Sequence, residues 1–338
     1  MVDREKEPRL RRNMNAKAQR SISLVGLFWA LVVVASGLAS LFTIAGFLGR
    51  YWWVFDLTSH FRLQYLPILL ISAGVVARKR RKTLASALAV LAIVNLAVIA
   101  PYLPYKSVPR KVGQTLRAVL INVHTGNTRY DLVRRFIAEK KPDFFVLEEV
   151  DFNWIDQMAE LRRAYPHFVL EPRDDNFGIA LFSRLPLKQT QVIPFGDAEI
   201  PSILASVQID DRQLKILATH PLPPGSREYS QLRNLQLSAI PSWVEKAQGE
   251  TVLLGDLNIT PWCSPFRKLL AETGLRDSSK GRGIQGTWPT YLLPMRIPID
   301  HCLLSSGLQV VAKEIGPGVG SDHFPLLIEF AFVQPKGN

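Results

Sequence analysis

Cysteine is scarce in this sequence, which has only Cys263 and Cys302 among its 338 residues. At most one disulfide bond can therefore form. In an oxidising compartment the two thiols could pair, but a sequence does not show whether their Cα atoms come within the roughly 7 Å that bridging requires. We favour the simpler interpretation, in which both are buried free thiols. The chain also has no internal repeat and no low-complexity tract.

Charged residues are absent from two long apolar blocks in the first third of the chain. Residues 21–48 carry no charge over 28 residues, which exceeds the roughly 20 residues that a helix needs to cross a bilayer. Residues 84–105 form a second uncharged block of adequate length. The first block is too long for a signal peptide, and no A-x-A cleavage pattern follows it. We interpret both blocks as transmembrane helices.

A third, less secure span lies between these two blocks. Its apolar part, Leu63 to Ala77, is only 15 residues long. Extended to residues 51–77 it could span if Asp56, His60 and Arg62 lie at the membrane interface. We predict three transmembrane helices, at about 21–48, 51–77 and 84–105. If the middle segment does not span, the other two form a single hairpin and the C-terminal segment lies on the opposite side.

The excess of positive charge is confined to the N-terminal third. The net charge is +12, yet the chain from Lys106 onward has 27 basic and 25 acidic residues. Because short basic loops stay in the cytoplasm, the tail 1–20 and the cluster 78–82 are predicted inside, and residues 50–62 and everything after the third span outside. We therefore expect a multi-pass protein of the inner membrane whose C-terminal segment faces the periplasm or the cell exterior.

The C-terminal segment shows the alternation of an α/β domain. After a linker at 106–115, residues 116–332 form the predicted domain, and residues 333–338 form a tail. Many strands with helices between them favour two packed sheets covered by helices, a four-layer α/β sandwich. The predicted strands are 116–123, 143–147, 178–182, 203–209, 214–218, 251–254, 301–304 and 326–330, and the predicted helices are 130–141, 154–164, 230–247 and 264–273.

Polar clusters occur at the ends of several of these strands. Glu148 and Glu149 end one strand, and on extended backbone only one of two adjacent carboxylates can face a given site. Asp256 and Asn258 lie two residues apart after a buried strand, where an Asp can orient or deprotonate water and an Asn can bind a phosphoryl oxygen. In isolation each cluster is also compatible with a solvated acidic turn or an Asx turn.

Asp322 and His323 lie in a glycine-rich loop just before the last strand. An adjacent Asp and His suit a metal ligand and a general base, and such a base normally needs an orienting carboxylate, for which Asp300 is the natural candidate. His220 ends another strand and could contact phosphate or protonate a leaving oxygen, although a lone His there is more often structural. Asn122 adds an amide at the end of the first strand.

Taken in order, these segments resemble the endonuclease/exonuclease/phosphatase superfamily, which includes pancreatic-type deoxyribonucleases, abasic-site endonucleases, neutral sphingomyelinases and inositol-polyphosphate phosphatases. The resemblance covers about residues 116–330. It implies hydrolysis of phosphoesters with a divalent cation, Mg²⁺ or Mn²⁺. The family's Leu-Gln-Glu, Gly-Asp-x-Asn and Ser-Asp-His motifs are matched at 147–149, 255–258 and 321–323. Glu148 replaces the usual Gln, and His301 follows Asp300 where Tyr is usual.

The resemblance also implies roles for the matched residues. Glu149 would hold the metal ion, with Asp322 and Asn122 nearby. His323, oriented by Asp300, would activate water with help from Asp256. Asn258 and His220 would bind the non-bridging phosphate oxygens. The extra charge of Glu148 is expected to alter metal affinity or the surroundings of the ion.

The resemblance does not define the substrate. A nearly neutral domain outside the membrane lacks the basic surface of a DNA-repair enzyme, so a phosphoester on a lipid head group is the first candidate. A nuclease acting on extracytoplasmic DNA or RNA is the second. A catalytically silent binding or scaffold domain is the third, and the intact set of site residues argues against it.

Overall fold

The computed structural model describes residues 24–105 and 112–334. The predicted basic tail 1–20, the first part of the predicted linker and the last residues of the chain lie outside the described residues. Four helices come first, namely α1 (Leu24–Ala45), α2 (Trp53–Ser59), α3 (Arg62–Arg78) and α4 (Lys82–Ile99). Short 3₁₀ turns follow α1 at Gly46–Leu48 and α4 at Ala100–Tyr102.

Two helical segments in the described part of the chain are long and apolar enough to cross a membrane, Leu24–Leu48 and Lys82–Tyr102. Between them, α2 and α3 meet at an angle of 66°. We call α2 and α3 the bent helix pair. The first and third predicted spans thus coincide with helices of sufficient length and apolarity, while the middle segment is one span only if the bent pair is counted as one. The bend falls in the polar part of that segment, where α2 carries Asp56 and α3 begins at Arg62.

A buried polar chain connects the helices near their ends. Arg62 donates to Oδ1 of Asn95 over 3.2 Å, and the Asn95 amide donates to Thr43 Oγ1 over 2.8 Å. Apolar side chains complete the packing around Leu69 and Ala92, which are fully buried. These bonds join α1, α3 and α4, because a polar side chain among apolar helices is stable only with a partner.

The C-terminal domain contains two six-stranded sheets. The first has the order β11-β12-β1-β2-β4-β3 and the second β5-β6-β7-β8-β10-β9. Pairs β1–β2 and β7–β8 are parallel, and the other pairs are antiparallel. The strands are β1 (Val112–Asn122), β2 (Phe144–Glu148), β3 (His167–Glu171), β4 (Ile179–Ser183), β5 (Leu187–Pro194), β6 (Pro201–Ile209), β7 (Arg212–Thr219), β8 (Glu250–Asp256), β9 (Arg276–Asp277), β10 (Asp300–Leu304), β11 (Leu308–Ile315) and β12 (Leu326–Val333).

Helices cover the outer face of each sheet. The central core lies between the sheets and includes Leu120, Val146, Leu254 and Cys302. On the outside of the first sheet pack α5 (Tyr130–Lys140) and α6 (Phe152–Gln157), and on the second α7 (Arg227–Lys246) and α8 (Ser264–Thr273). The predicted four-layer α/β sandwich is confirmed. Both cysteines are buried and free, which confirms the interpretation as unpaired thiols.

Every strand predicted from an apolar run is present, but four others were not predicted. These are β3, β5, β9 and β11. All four lie at sheet edges, and β5 is mostly exposed, so its sequence lacks an apolar pattern. The helix predicted at 154–164 is also wrong in part, because α6 ends at Gln157 and a 3₁₀ turn continues over Ala159–Arg163.

Candidate active site

The site forms where strands of the two sheets end side by side. Asn122 is in register with Glu148 across the parallel pair β1–β2, and Asp256 with Asp300 across β8–β10. On each of these strands the residue two positions further into the strand points into the core between the sheets, namely Leu120, Val146, Leu254 and Cys302. Because side chains alternate along a strand, the four polar residues point into the same inter-sheet space. The apolar core between the sheets ends at these four residues.

His323 and Asp300 form the shortest ion pair of the site. Nδ1 of His323 lies 2.9 Å from Oδ2 of Asp300, and both residues are buried. Burial alone would lower the pKa of His323, but the negative charges of Asp300 and Asp256 outweigh it and raise the pKa to about 10. For Asp300, burial acts to raise the pKa, but the charge and hydrogen bond of His323 lower it. The pairing leaves Nε2 of His323 directed at Asp256 Oδ2, at 3.6 Å.

Asp256 ends β8, and its carboxylate also accepts the backbone N–H of Asn258 over 2.9 Å. Burial and the negative charge of Asp300 raise the pKa of Asp256 to about 8. Asn258 has φ +52°, so the two residues do not project together from extended backbone as the sequence suggested. A turn closed by this hydrogen bond brings both side chains to the site instead.

Glu149 reaches the site through an unusual backbone conformation. Its φ is +61°, in the left-handed region, so the prediction that both glutamates lie on extended backbone is wrong at this residue. One carboxylate oxygen accepts the Asn122 amide over 2.8 Å, and the other accepts the backbone N–H of Thr125 over 3.3 Å. The same Asn122 amide lies 3.4 Å from Asp256 Oδ2, so Asn122 connects the two carboxylates.

His124 was not identified from the sequence. Its Nδ1 lies 3.6 Å from Glu149 Oε2 and 3.7 Å from Asp322 Oδ1, between the two carboxylates. The Trp288 indole donates to the other oxygen of Asp322 over 2.9 Å. The signal for His124 was its place two residues after Asn122 at the end of the first predicted strand.

Glu148 does not enter the cavity. Its Oε2 accepts the backbone N–H of Asp256 over 3.0 Å, across the gap between the sheets, and the residue is fully buried. Burial, and next the charge of Asp256, raise the pKa of Glu148 well above its ordinary value. The raised pKa favours the neutral form of the side chain. In that form the carboxyl replaces the family's amide without changing the charge, and the effect of Glu148 on metal affinity stays a prediction.

His220 and His301 are both buried and have lowered pKa values, with burial as the main cause. Nε2 of His220 lies 3.3 Å from the Asn258 amide nitrogen, and Asn258 also donates to the Pro221 carbonyl over 2.9 Å. Nε2 of His301 lies 2.7 Å from the carbonyl oxygen of Ile259, next to Asn258. The two imidazoles therefore hold the loop that carries Asn258 from two sides.

A cavity of about 460 Å³ opens above these groups. The structure brings six of the predicted site residues to its wall, and Asp300 and Asn122 support them from behind. The six are Glu149, His220, Asp256, Asn258, Asp322 and His323. The wall of the cavity also includes Leu57, His60 and Phe61 of the bent helix pair. Sequence reasoning missed them because that segment was predicted as a membrane span.

Comparison with solved structures shows the same fold in several proteins. The endonuclease/exonuclease/phosphatase from Bacteroides vulgatus superposes with a TM-score of 0.57 at 18% identity, over 65% of this chain and 100% of that one. The 3′ phosphatase NExo from Neisseria, solved with a product DNA hairpin, gives 0.54 at 21% identity, over 64% and 100%. Sphingomyelinase C from Streptomyces griseocarneus gives 0.50 at 18% identity, over 64% and 99%.

No curated protein matches the sequence. The family description "Endonuclease/Exonuclease/phosphatase family" matches residues 119–323, a segment that contains every side chain predicted for the site. Members of this family are phosphoester hydrolases. Since the matched segment exceeds half of the sequence, the chain belongs to the endonuclease/exonuclease/phosphatase family.

Proposed function

We propose that this protein is a membrane-anchored, divalent-metal-dependent phosphoester hydrolase, a phosphodiesterase or phosphatase, in which His323 activates water. The observation that supports this most is the 2.9 Å contact between His323 and the buried Asp300, at the floor of a cavity lined by further carboxylates. A buried carboxylate holds an imidazole in one tautomer and orientation. The opposite nitrogen of the ring is then available to a water molecule in the cavity.

The donor groups suit a hard divalent cation. Glu149 and Asp256 converge on the amide of Asn122, and Asp322 lies across His124 from Glu149. Asp256, Asp300 and His323 also place ligand atoms within 4.8 Å of one another. Carboxylate oxygens are the ligands that Mg²⁺ and Mn²⁺ prefer. None of the described residues that line the cavity is Lys or Arg, so no lysine or arginine there offsets these carboxylates.

We assign the ion to Glu149, with Asp322 and Asn122 beside it. When bound, the ion polarises the phosphoryl oxygen and stabilises the charge that develops on the leaving oxygen. His323 accepts a proton from water at Nε2, while Asp300 holds the proton on Nδ1 and stabilises the imidazolium. For this role Nε2 must begin unprotonated. A cation held by the surrounding carboxylates would favour that state, because its positive charge lowers the pKa of His323.

The remaining polar groups position the phosphate. Asn258 and His220 are held against each other and lie where they can bind the non-bridging oxygens, and Asp256 assists in orienting the water. The attacking water oxygen bonds to phosphorus as the bond from phosphorus to the leaving oxygen breaks. The chain thus supplies a base, an orienting carboxylate and a phosphate clamp within one cavity.

A phospholipid-like phosphoester is the favoured substrate class. Apolar side chains supply much of the cavity wall, and the lack of Lys and Arg among its described residues disfavours a nucleic-acid backbone. DNA or RNA is the second candidate, because the Neisseria relative is a 3′ phosphatase solved with a DNA hairpin. The relative from Streptomyces griseocarneus is a sphingomyelinase, so relatives of the fold are compatible with either substrate.

We further propose that the protein is a multi-pass protein of the inner membrane with its catalytic domain on the periplasmic or extracellular side. The support is the position of the basic residues 78–82. They lie between α3, which leads away from the catalytic domain, and α4, which leads back to it. In the structure α3 is about 25 Å long and begins against the catalytic domain, so this cluster lies at the far end. A reporter enzyme fused to the C-terminus, active only outside the cytoplasm, tests the orientation.

The activity is tested with the full-length protein in detergent, supplied with Mg²⁺ or Mn²⁺. The substrates are plasmid DNA, lyso- and diacyl phospholipids, sphingomyelin and inositol phosphates, and the His323→Ala variant is the control. We expect phosphate ester cleavage that requires the cation and disappears in the variant. Absence of turnover on every substrate, or turnover that His323→Ala retains, would overturn the proposal.

A further inference from the structure

The bent helix pair is joined to the catalytic domain beside the cavity. The Trp262 indole donates to the His60 carbonyl over 3.2 Å, and the Gln64 amide donates to the Arg296 carbonyl over 3.1 Å. Asp56 receives a 2.7 Å hydrogen bond from Arg233, and both side chains are buried. These contacts come from a part of the chain outside the segment that defines the family, 119–323.

These contacts make the bent helix pair a wall of the active-site cavity. Leu57, His60 and Phe61 line the same cavity as His323 and Asn258. From the catalytic domain, Phe177, Ile297 and Trp288 add apolar surface. The cavity therefore combines phosphate-binding groups with an apolar surface supplied partly by the bent helix pair. A ligand that matches both is amphipathic.

His60 is the one polar member of this wall. The residue is only 4% exposed, and neither ring nitrogen has a hydrogen-bond partner among the described residues. Both ring nitrogens are closed off from the cavity, and one of them lies within 4.8 Å of ligand atoms of Asp56 and Cys263, so His60 lines the cavity without offering it a hydrogen bond.

An exposed apolar loop lies at the rim of the same cavity. Leu292 and Leu293 are 45% and 70% exposed, and Tyr291 and Met295 beside them are also exposed. The loop runs between Trp288 and Ile297, which line the cavity, and ends at Arg296, which is bonded to α3. Contiguous exposed apolar side chains next to a membrane helix are suited to contact with a lipid surface.

We propose that the bent helix pair is the substrate-selecting wall of the active site, where Leu57 and Phe61 bind the aliphatic part of a lipid phosphoester. The loop at 291–295 lies on the bilayer, so the lipid enters the cavity from the membrane surface. This inference rests on the proposed phosphoester hydrolysis and names the class of substrate that the site takes. It also means that the domain beginning at β1 lacks one wall of its own active site.

The test compares substrates that differ only in chain length. Full-length protein in nanodiscs or mixed micelles is given dioleoyl phosphatidylglycerol and its dibutyroyl analogue, and the selectivity is the ratio of the two kcat/KM values. We expect the wild-type protein to prefer the long-chain lipid. Leu57→Ser should lower the ratio by about tenfold, since apolar pocket contacts of this size change selectivity by 10- to 200-fold. Leu57→Met should restore most of it.

A matched control separates the wall from general effects on the membrane helices. Leu70 lies on α3, is 52% exposed and does not line the cavity. The Leu70→Ser variant should keep both the activity and the ratio of the wild-type protein. The double variant Leu292→Ser, Leu293→Ser should lower the rate on lipid in vesicles more than on lipid in micelles, because only vesicles present a continuous surface.

The outcomes distinguish this inference from the proposed function. Turnover of a soluble diester, bis(p-nitrophenyl) phosphate, with no preference for the long chain overturns the inference and leaves the hydrolase intact. A ratio unchanged in Leu57→Ser does the same. If neither lipid nor soluble diester is cleaved with any cation, the proposed function itself fails.

Discussion

The backbone N–H of Asp256 donates a 3.0 Å hydrogen bond to Glu148 Oε2, connecting the last residues of β8 and β2 across the gap between the two sheets. Around this bond lie the carboxylates of Asp300 and Glu149, whose negative charges add to burial in raising the pKa of Glu148. The raised pKa favours the neutral form of Glu148 in the folded chain. Its side chain connects the two sheets at Asp256.

The Glu148→Gln variant is expected to retain turnover and to gain stability relative to the wild-type protein as pH rises. Because the pKa of Glu148 is raised in the folded chain, the folded state binds the proton more tightly, and stability falls as pH rises above the ordinary value of 4.5. A glutamine side chain at this position does not titrate, so the variant does not lose stability in this way. From about pH 5 upward, the variant's advantage in unfolding free energy should grow by up to about 1.4 kcal/mol per pH unit.

Thermal unfolding in detergent across this pH range measures the effect. Glu139→Gln is the control, because Glu139 is an exposed glutamate whose replacement leaves the pH profile unchanged. Parallel pH profiles for Glu148→Gln and the wild-type protein would show that Glu148 is ionised in the folded state.

Asp300→Asn should lower kcat by about 10³-fold or more while leaving the fold intact. Asn can no longer hold the imidazole of His323 in the orientation that directs Nε2 at the cavity, and in a related arrangement this change costs about 10⁴ in kcat. His323→Ala should abolish turnover. Rates on the best substrate of the panel, with thermal midpoints as the test of folding, measure both effects. Asp211→Asn, at an exposed turn, is the control, and a rate for Asp300→Asn equal to it would remove Asp300 from its orienting role.

Glu149→Gln should weaken binding of Mg²⁺ and Mn²⁺ by at least about tenfold, because removing even an indirect partner of a metal site has an effect of that size. The cation-dependent rise in the thermal midpoint of the folded protein measures affinity without reference to activity. Glu245→Gln changes an exposed glutamate on α7 and should bind the ions as the wild-type protein does. Equal affinities in all three proteins would show that the cation is held elsewhere.

Strand ends were the part of the site that the sequence predicted best. The residues Asn122, Asp256 and Asp300 each end or begin an apolar strand, and alternation along those strands fixes which face they occupy. The sequence predicted two packed sheets, but it could not show which strands pair within each sheet or which residues meet across the gap. That pairing depends on contacts between residues far apart in the chain, so the 3.0 Å bond from Asp256 to Glu148 had no local signal.

Local backbone conformation and the bent helix pair were beyond sequence reasoning for different reasons. Glu149 and Asn258 adopt positive φ only because the surrounding contacts hold them there. Asp56, His60 and Arg62 were interpreted as a difficulty for a membrane span. In the structure Asp56 pairs with Arg233 of the catalytic domain and Arg62 with Asn95 of α4, so the polar residues have partners that lie distant in sequence.

Gly255→Ala should destabilise the domain by about 1–3 kcal/mol or more, since overpacking in a rigid interior costs that amount. A Cβ at this position would lie 1.9 Å from the Thr219 carbonyl oxygen on the neighbouring strand β7. A backbone atom in a sheet cannot move aside. Gly113→Ala on β1 is the matched control, because a Cβ there meets nothing within 4 Å. The free energy of unfolding, measured by denaturant for both variants, gives the comparison, and equal values for both would contradict the steric argument.

Asp56 and Arg233 should show a strong coupling in a double-mutant cycle. The pair is buried, with the side chains of Asp56 and Arg233 4% and 0% exposed, and the second nitrogen of Arg233 donates to the Asn258 carbonyl over 3.2 Å. Removing one partner leaves a buried charge uncompensated, which costs about 3–5 kcal/mol. Asp56→Asn and Arg233→Met should therefore each lower the thermal midpoint strongly, and the double variant should be less destabilised than the sum of the two single variants.

Lys268 and Glu272, an exposed pair 3.8 Å apart, are the control. Their coupling should be about 0.5 kcal/mol. Because Arg233 also supports Asn258, Arg233→Met should in addition raise KM for every substrate. A coupling no larger than that of the exposed pair would mean that the contact between Asp56 and Arg233 does not hold the bent helix pair in place.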